Sequence, residues 1–171
     1  MSGNTGKTLV IGYGNPGRRD DGLGPAFAEA VEKLGLAGVT VEVNYQLGVE
    51  DAYAVAGHRG VVFADAAAEG PEPFSFRPIE PKARMSFSSH SLDPASVLAL
   101  ARDLFGVETE GYLLGIRGYV FDEFNESLTP RAERNLAAAL GFFQSWIHNG
   151  SFSQTAESIS HLASLFGKEG K

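Results

Sequence analysis

Asp20 and Asp21 stand side by side behind Arg18 and Arg19, in the stretch GYGNPGRRDDGLGP at 12–25. Two adjacent carboxylates behind two arginines are a costly cluster for a plain turn, and they point to a site rather than a linker. Asp65 closes the apolar run GVVFA at 60–64, and His90 lies in the serine-rich loop SFSSHS at 86–91. Two carboxylates and an imidazole with open positions suit a transition metal, and a carboxylate can also act as general acid or base. One member of the acidic pair could instead cap the next helix, where a carboxylate is favoured by capping and by the helix dipole. Asp20 is the candidate for that role and Asp21, Asp65 and His90 are the candidates for chemistry. His58, His148 and His161 have no such company and read as surface or helix-end residues.

Other chemistries fit less well. The glycines at 12, 14 and 17 match G-x-G-x-x-G. A dinucleotide pyrophosphate at the helix N-terminus would be repelled by Asp20 and Asp21. The acidic residue expected about 20 positions on would have to be Glu42 or Asn44. A G-x-S-x-G nucleophile elbow is absent. Ser88 or Ser89 beside His90 are sequence neighbours, which rarely face each other productively. The chain has no cysteine, which excludes disulfides, a thiol nucleophile and iron–sulfur ligation by its own residues.

These groups need elements to position them. The β-branched run at 8–11 predicts a buried strand leading into the glycine loop. Apolar residues at helical spacing predict a helix over 24–34, stopped by Gly35. Alternation predicts a strand over 39–43, then a helix over 48–56 and a strand over 60–64 that ends on Asp65. Residues 74–79 read as an edge strand, because Pro73, Pro78 and Pro81 cannot serve a central ladder. Asp93 and Pro94 start a helix that ends at Gly106. A strand follows over 111–116, then the aromatic and acidic loop 117–126, RGYVFDEFNE. Ser127 or Thr129 caps a long helix that begins at Pro130 and ends before Asn149. Alternating strands and helices imply right-handed βαβ units and a mostly parallel sheet. In a flavodoxin-like order the first and third strands are neighbours at the switch point, which brings Asp21 opposite Asp65.

At 171 residues the chain is long enough for one domain with a sizeable core. The 14 basic and 21 acidic side chains leave a net charge of −7, which argues against nucleic acid and anionic membranes as partners. The start MSGNTGK lacks the apolar core of a signal peptide, and no run is long enough to span a membrane, so a cytoplasmic protein is expected. The domain is expected over 1–148. Residues 149–171 read as a separate tail, either a short amphipathic helix carrying Ile159, Leu162, Leu165 and Phe166 or a disordered tether, and dispensable for the core.

The segments GYGNPGRRDDGLGP, VVFADAA at 61–67, SSHSLDPASVL at 88–98, YLLGI at 112–116 and SLTPRAERNLAAAL at 127–140 occur in the order and spacing of a known family. Over residues 7 to 148 the chain resembles the hydrogenase maturation proteases. The resemblance implies a three-layer α/β sandwich, phosphorylase/hydrolase-like, with a twisted, mostly parallel five-stranded sheet and helices on both faces. It implies an endopeptidase, grouped with aspartic proteases, that removes the C-terminal extension of a nickel–iron hydrogenase large-subunit precursor after nickel insertion. In the family, the positions matching Asp21, Asp65 and His90 bind metal. Nickel would be held mainly by the substrate, with cadmium or zinc able to occupy the site in vitro. A non-catalytic metal-dependent recognition module or a nucleotide-binding α/β domain are the alternatives.

Overall fold

The computed structural model describes residues 7–82 and 92–167. Its strands are β1 (Thr8–Tyr13), β2 (Val39–Asn44), β3 (Gly60–Ala67), β4 (Phe74–Ile79) and β5 (Glu110–Arg117). Its helices are α1 (Leu23–Leu34), α2 (Glu50–Ala56), α3 (Pro94–Phe105), α4 (Pro130–His148) and α5 (Ala156–Gly167). The five strands form one sheet in the order β2-β1-β3-β5-β4, with β4 alone antiparallel. The mostly parallel sheet and the β1–β3 adjacency agree with the sequence reading. The proline-bearing strand is indeed at an edge, where Pro78 lies opposite Tyr112 of β5.

Period-two alternation in the central strands feeds two separate cores. Leu9, Ile11, Val61 and Phe63 pack with Ala52 and Val55 of α2 and Val97, Leu98 and Ala101 of α3. Val10, Val62 and Ala64 pack on the opposite face with Leu23, Phe27 and Val31 of α1 and Phe142, Phe143 and Trp146 of α4. The result is a three-layer sandwich. Leu9, Val10 and Ile11 follow one another in β1 as an unbroken apolar run because both faces of a central parallel strand are covered. Helix starts follow their capping chemistry. The Asp93 carboxylate accepts from the Ser96 N–H at 2.9 Å, and the Thr129 hydroxyl accepts from the Ala132 N–H at 3.3 Å, each with proline next in line.

Beyond shifts of a residue or two at other element ends, two differences from expectation matter for the site and the core. β3 continues past Asp65 to Ala67, so Asp65 is paired opposite Gly115 rather than standing beyond the strand. The segment after His148 is not separate from the core. Phe152 is only 6% exposed, its ring 4.9 Å from that of Trp146 and 5.9 Å from that of Tyr112. Ile159 is equally buried, and Phe166 sits edge-on to Phe142 at 6.4 Å. The tail therefore packs on the core as a short helix rather than a free tether, and a deletion decides whether it is dispensable. Its composition is polar, but it carries one aromatic side chain back into an aromatic cluster and three apolar positions of α5 onto α4. Leu165 alone of the four expected contacts stays out, at 53% exposure.

Candidate functional site

β1 and β3 run side by side with Gly12 opposite Ala64, so the segments that follow them leave the sheet together. Gly12 allows the close approach this requires, since a Cβ there would collide with the Gly24 carbonyl and with Ala28 of α1. Gly14 then turns the chain at φ 141°, a conformation that favours glycine. The loop closes on itself. The Asn15 N–H donates to Asp21 Oδ2 at 2.8 Å, and the Gly17 N–H donates to Asn15 Oδ1 at 2.9 Å. Asp21 lies in the short 3-10 turn Arg19–Gly22, which packs against β3. No described residue donates to its Oδ1. With Asp21 on the Asn15 N–H, the glycine loop presents a carboxylate where a phosphate-binding loop would present free amides.

Asp65 is half-buried and accepts from the Ala66 N–H at 2.8 Å. Its pKa is pushed up to about 6, mainly by burial and further by the charge of Asp21, against the opposing pull of the Ala66 N–H and the Tyr13 hydroxyl. The structure thus sets the turn that carries Asp21 against β3, within electrostatic reach of Asp65. His90, the third expected member, lies outside the described residues. Among the described residues no group of three or more histidine, aspartate or glutamate side chains comes together. Two hard carboxylate donors alone make an incomplete shell for a transition metal.

Tyr13 was not singled out by sequence reasoning. It ends β1 on the face of Leu9 and Ile11, as Asp65 continues the face of Val61 and Phe63, so the alternation was a usable signal. Burial, and next the Asp65 charge, push the Tyr13 hydroxyl strongly up, so it remains a proton donor facing Asp65.

Asp20 does something different from capping. Neither the 3-10 turn nor α1 has a side-chain cap. The Asp20 side chain is fully buried, and four donors from distant sequence converge on it. The Thr129 N–H reaches Oδ1 at 2.8 Å, while the Tyr119 and Val120 N–H groups and the Thr129 hydroxyl reach Oδ2 at 2.8, 3.1 and 2.9 Å. Burial alone would raise its pKa, but these bonds outweigh it and the net shift is downward. Asp20 is a clamp between the 3-10 turn and the loop that leads into α4.

Solved structures with this architecture are known. HybD, a hydrogenase maturating endopeptidase from E. coli, superposes with a TM-score of 0.63 at 22% identity, over 84% of this chain and 94% of that one. HycI, a [NiFe] hydrogenase maturation protease from Thermococcus kodakarensis, gives 0.65 at 22% identity over 84% and 94%. A hydrogenase 2 maturation peptidase from a Thaumarchaeota archaeon gives 0.61 at 21% identity over 85% and 99%. No model of a known protein family matches the sequence, and no curated protein matches it. The sheet order, the two covered faces and these superpositions together give this chain the fold of the hydrogenase maturation proteases.

Proposed function

We propose that this chain is a cytoplasmic endopeptidase of hydrogenase maturation, which removes the C-terminal extension of a nickel–iron hydrogenase large-subunit precursor. The observation that carries this reading is the 3-10 turn bearing Asp21 packed against β3, so that the Asp21 charge acts on Asp65, on a fold shared with proteins of that name. Nickel belongs to the substrate here. The precursor's metal would be met by Asp21, Asp65 and His90, and the incomplete donor set of this chain makes free nickel, cadmium or zinc weak ligands by comparison.

The reaction is aspartic in type, with water rather than a side chain as nucleophile. Asp65, with a pKa of about 6, is suited to take the proton of the attacking water and return it to the departing amine. The Ala66 N–H holds that carboxylate at one oxygen, and the Tyr13 hydroxyl beside it draws its pKa down. Asp21 is fixed through one oxygen by the Asn15 amide.

The test is incubation of apo and nickel-loaded precursor with the wild-type protein, followed by mass analysis of the precursor's C-terminus. Loss of the extension from the nickel-loaded form alone is expected. Asp21→Asn, Asp65→Asn and His90→Ala should each abolish it while leaving the protein folded. Efficient cutting of apo precursor, or full activity in His90→Ala, would overturn the reading.

A further inference from the structure

The loop between β5 and α4 is tied to both carboxylate-bearing segments. At its start the Gly118 N–H donates to the Ala67 carbonyl at 2.9 Å, two residues past Asp65. In its middle the Arg19 N–H donates to the Asn125 carbonyl at 2.8 Å and the Asn125 N–H to the Gly17 carbonyl at 3.0 Å. At its end Thr129 closes on Asp20. The Arg19 guanidinium also donates to Ser127 and pairs with Glu123 at 3.4 Å. Backbone held this firmly has already lost its conformational entropy, which lowers the cost of binding through it.

The same loop exposes its largest apolar side chain. Phe124 is 92% accessible, and its contact with a charged group is the Arg18 guanidinium 6.0 Å from its ring. Asp122, Glu123 and Glu126 flank it in sequence and are exposed. A solvated phenylalanine contributes nothing to the fold, whereas a rigid, protruding aromatic is the usual anchor of a protein interface. The acidic collar adds electrostatic choice of partner.

We propose that this loop is the docking element for the precursor, with Phe124 inserted in an apolar pocket of the precursor's folded body that is edged by lysine or arginine. The inference rests on the proposed function and extends it from the cleaved bond to the selection of the protein that carries it. Because the loop is tied down next to both Asp65 and Asp21, a precursor seated on Phe124 presents its chain end to the carboxylates without a further search.

The experiment measures steady-state cleavage of nickel-loaded precursor, and its binding by biolayer interferometry, for wild type, Phe124→Ala, Phe124→Leu and the double variant Asp122→Asn/Glu126→Gln. Phe124→Ala should raise KM and Kd about thirty-fold, as loss of an interface anchor does. It should leave kcat and the melting temperature unchanged, and Phe124→Leu should recover part of the loss. The double variant should flatten the salt dependence of binding. Wild-type cleavage with an unchanged KM and Kd in Phe124→Ala overturns the docking role and leaves the protease reading standing. A wild-type protein that neither binds nor cleaves the precursor overturns the protease reading, and the docking role with it.

Discussion

Replacing Asp20 by asparagine keeps the shape of the side chain and removes one acceptor and the charge. The carboxylate satisfies one donor at Oδ1 and three at Oδ2. If the amide oxygen takes the place of Oδ2, the new NH₂ group meets the Thr129 N–H head-on. If it takes the place of Oδ1, the NH₂ group meets the Tyr119 and Val120 N–H groups instead. The better arrangement still loses one charge-assisted bond, about 1.5–3 kcal/mol, and strands at least one buried donor, about 1–3 kcal/mol. A loss of about 3–5 kcal/mol corresponds to a fall of roughly 6–20 °C in melting temperature for a chain of this size. The pH dependence has a definite sign. Asp20 has a lowered folded-state pKa, so its contribution is present above the unfolded value of 3.8 and is lost as pH falls through the lower folded value. Thermal melts followed by circular dichroism should therefore show a wide gap between wild type and Asp20→Asn at neutral pH that closes in acid. A variant melting within a degree or two of wild type at neutral pH, or a gap that does not change with pH, would refute the clamp.

Asp65 gives the opposite sign. Its raised folded pKa means that protonation favours the fold, so its contribution is present below the unfolded value of 3.8 and is lost as pH rises through about 6. Cleavage should rise over the same interval as the base ionises, and Asp65→Asn should melt above wild type at neutral pH while failing to cleave. Phe152→Ala should cost about 3–5 kcal/mol, as truncation of a buried aromatic does, and removal of residues 151–171 should lower the melting temperature sharply rather than leave it unchanged. Gly12→Ala should fail to fold or melt far below wild type, because its Cβ meets backbone of α1 that cannot swing away; a soluble variant with wild-type stability would refute that packing.

The sequence made local features readable where a residue's neighbours decide its role. The apolar runs of β1 and β3 fixed which strands are central, Asp93–Pro94 marked one helix start by capping chemistry alone, and Pro130 marked another whose cap, Ser127 or Thr129 by sequence, is Thr129. The adjacency of β1 and β3 followed from a flavodoxin-like strand order, and it sets the turn carrying Asp21 against β3. Asp20 was misread because its partners lie about a hundred residues away, and nothing local distinguishes a carboxylate awaiting four distant donors from a cap. The tail was misread for a similar reason. Phe152 sits in a polar stretch, and its burial is decided by the space above Gly60, where a side chain would clash with its ring.

The Asp20 clamp has a consequence for how the molecule opens. The amides of Tyr119, Val120 and Thr129 share one fully buried acceptor group, so water reaches any of them only when the clamp opens. Their hydrogen exchange should be gated by a single opening event, with the same free energy for all three, rather than by fraying along the loop. The bridge between Arg18 and Asn125, made by the Arg19 N–H to the Asn125 carbonyl and the Asn125 N–H to the Gly17 carbonyl, lies in the same loop. The candidate site and the loop beside it therefore breathe as one unit, and a partner that binds either should slow exchange in both.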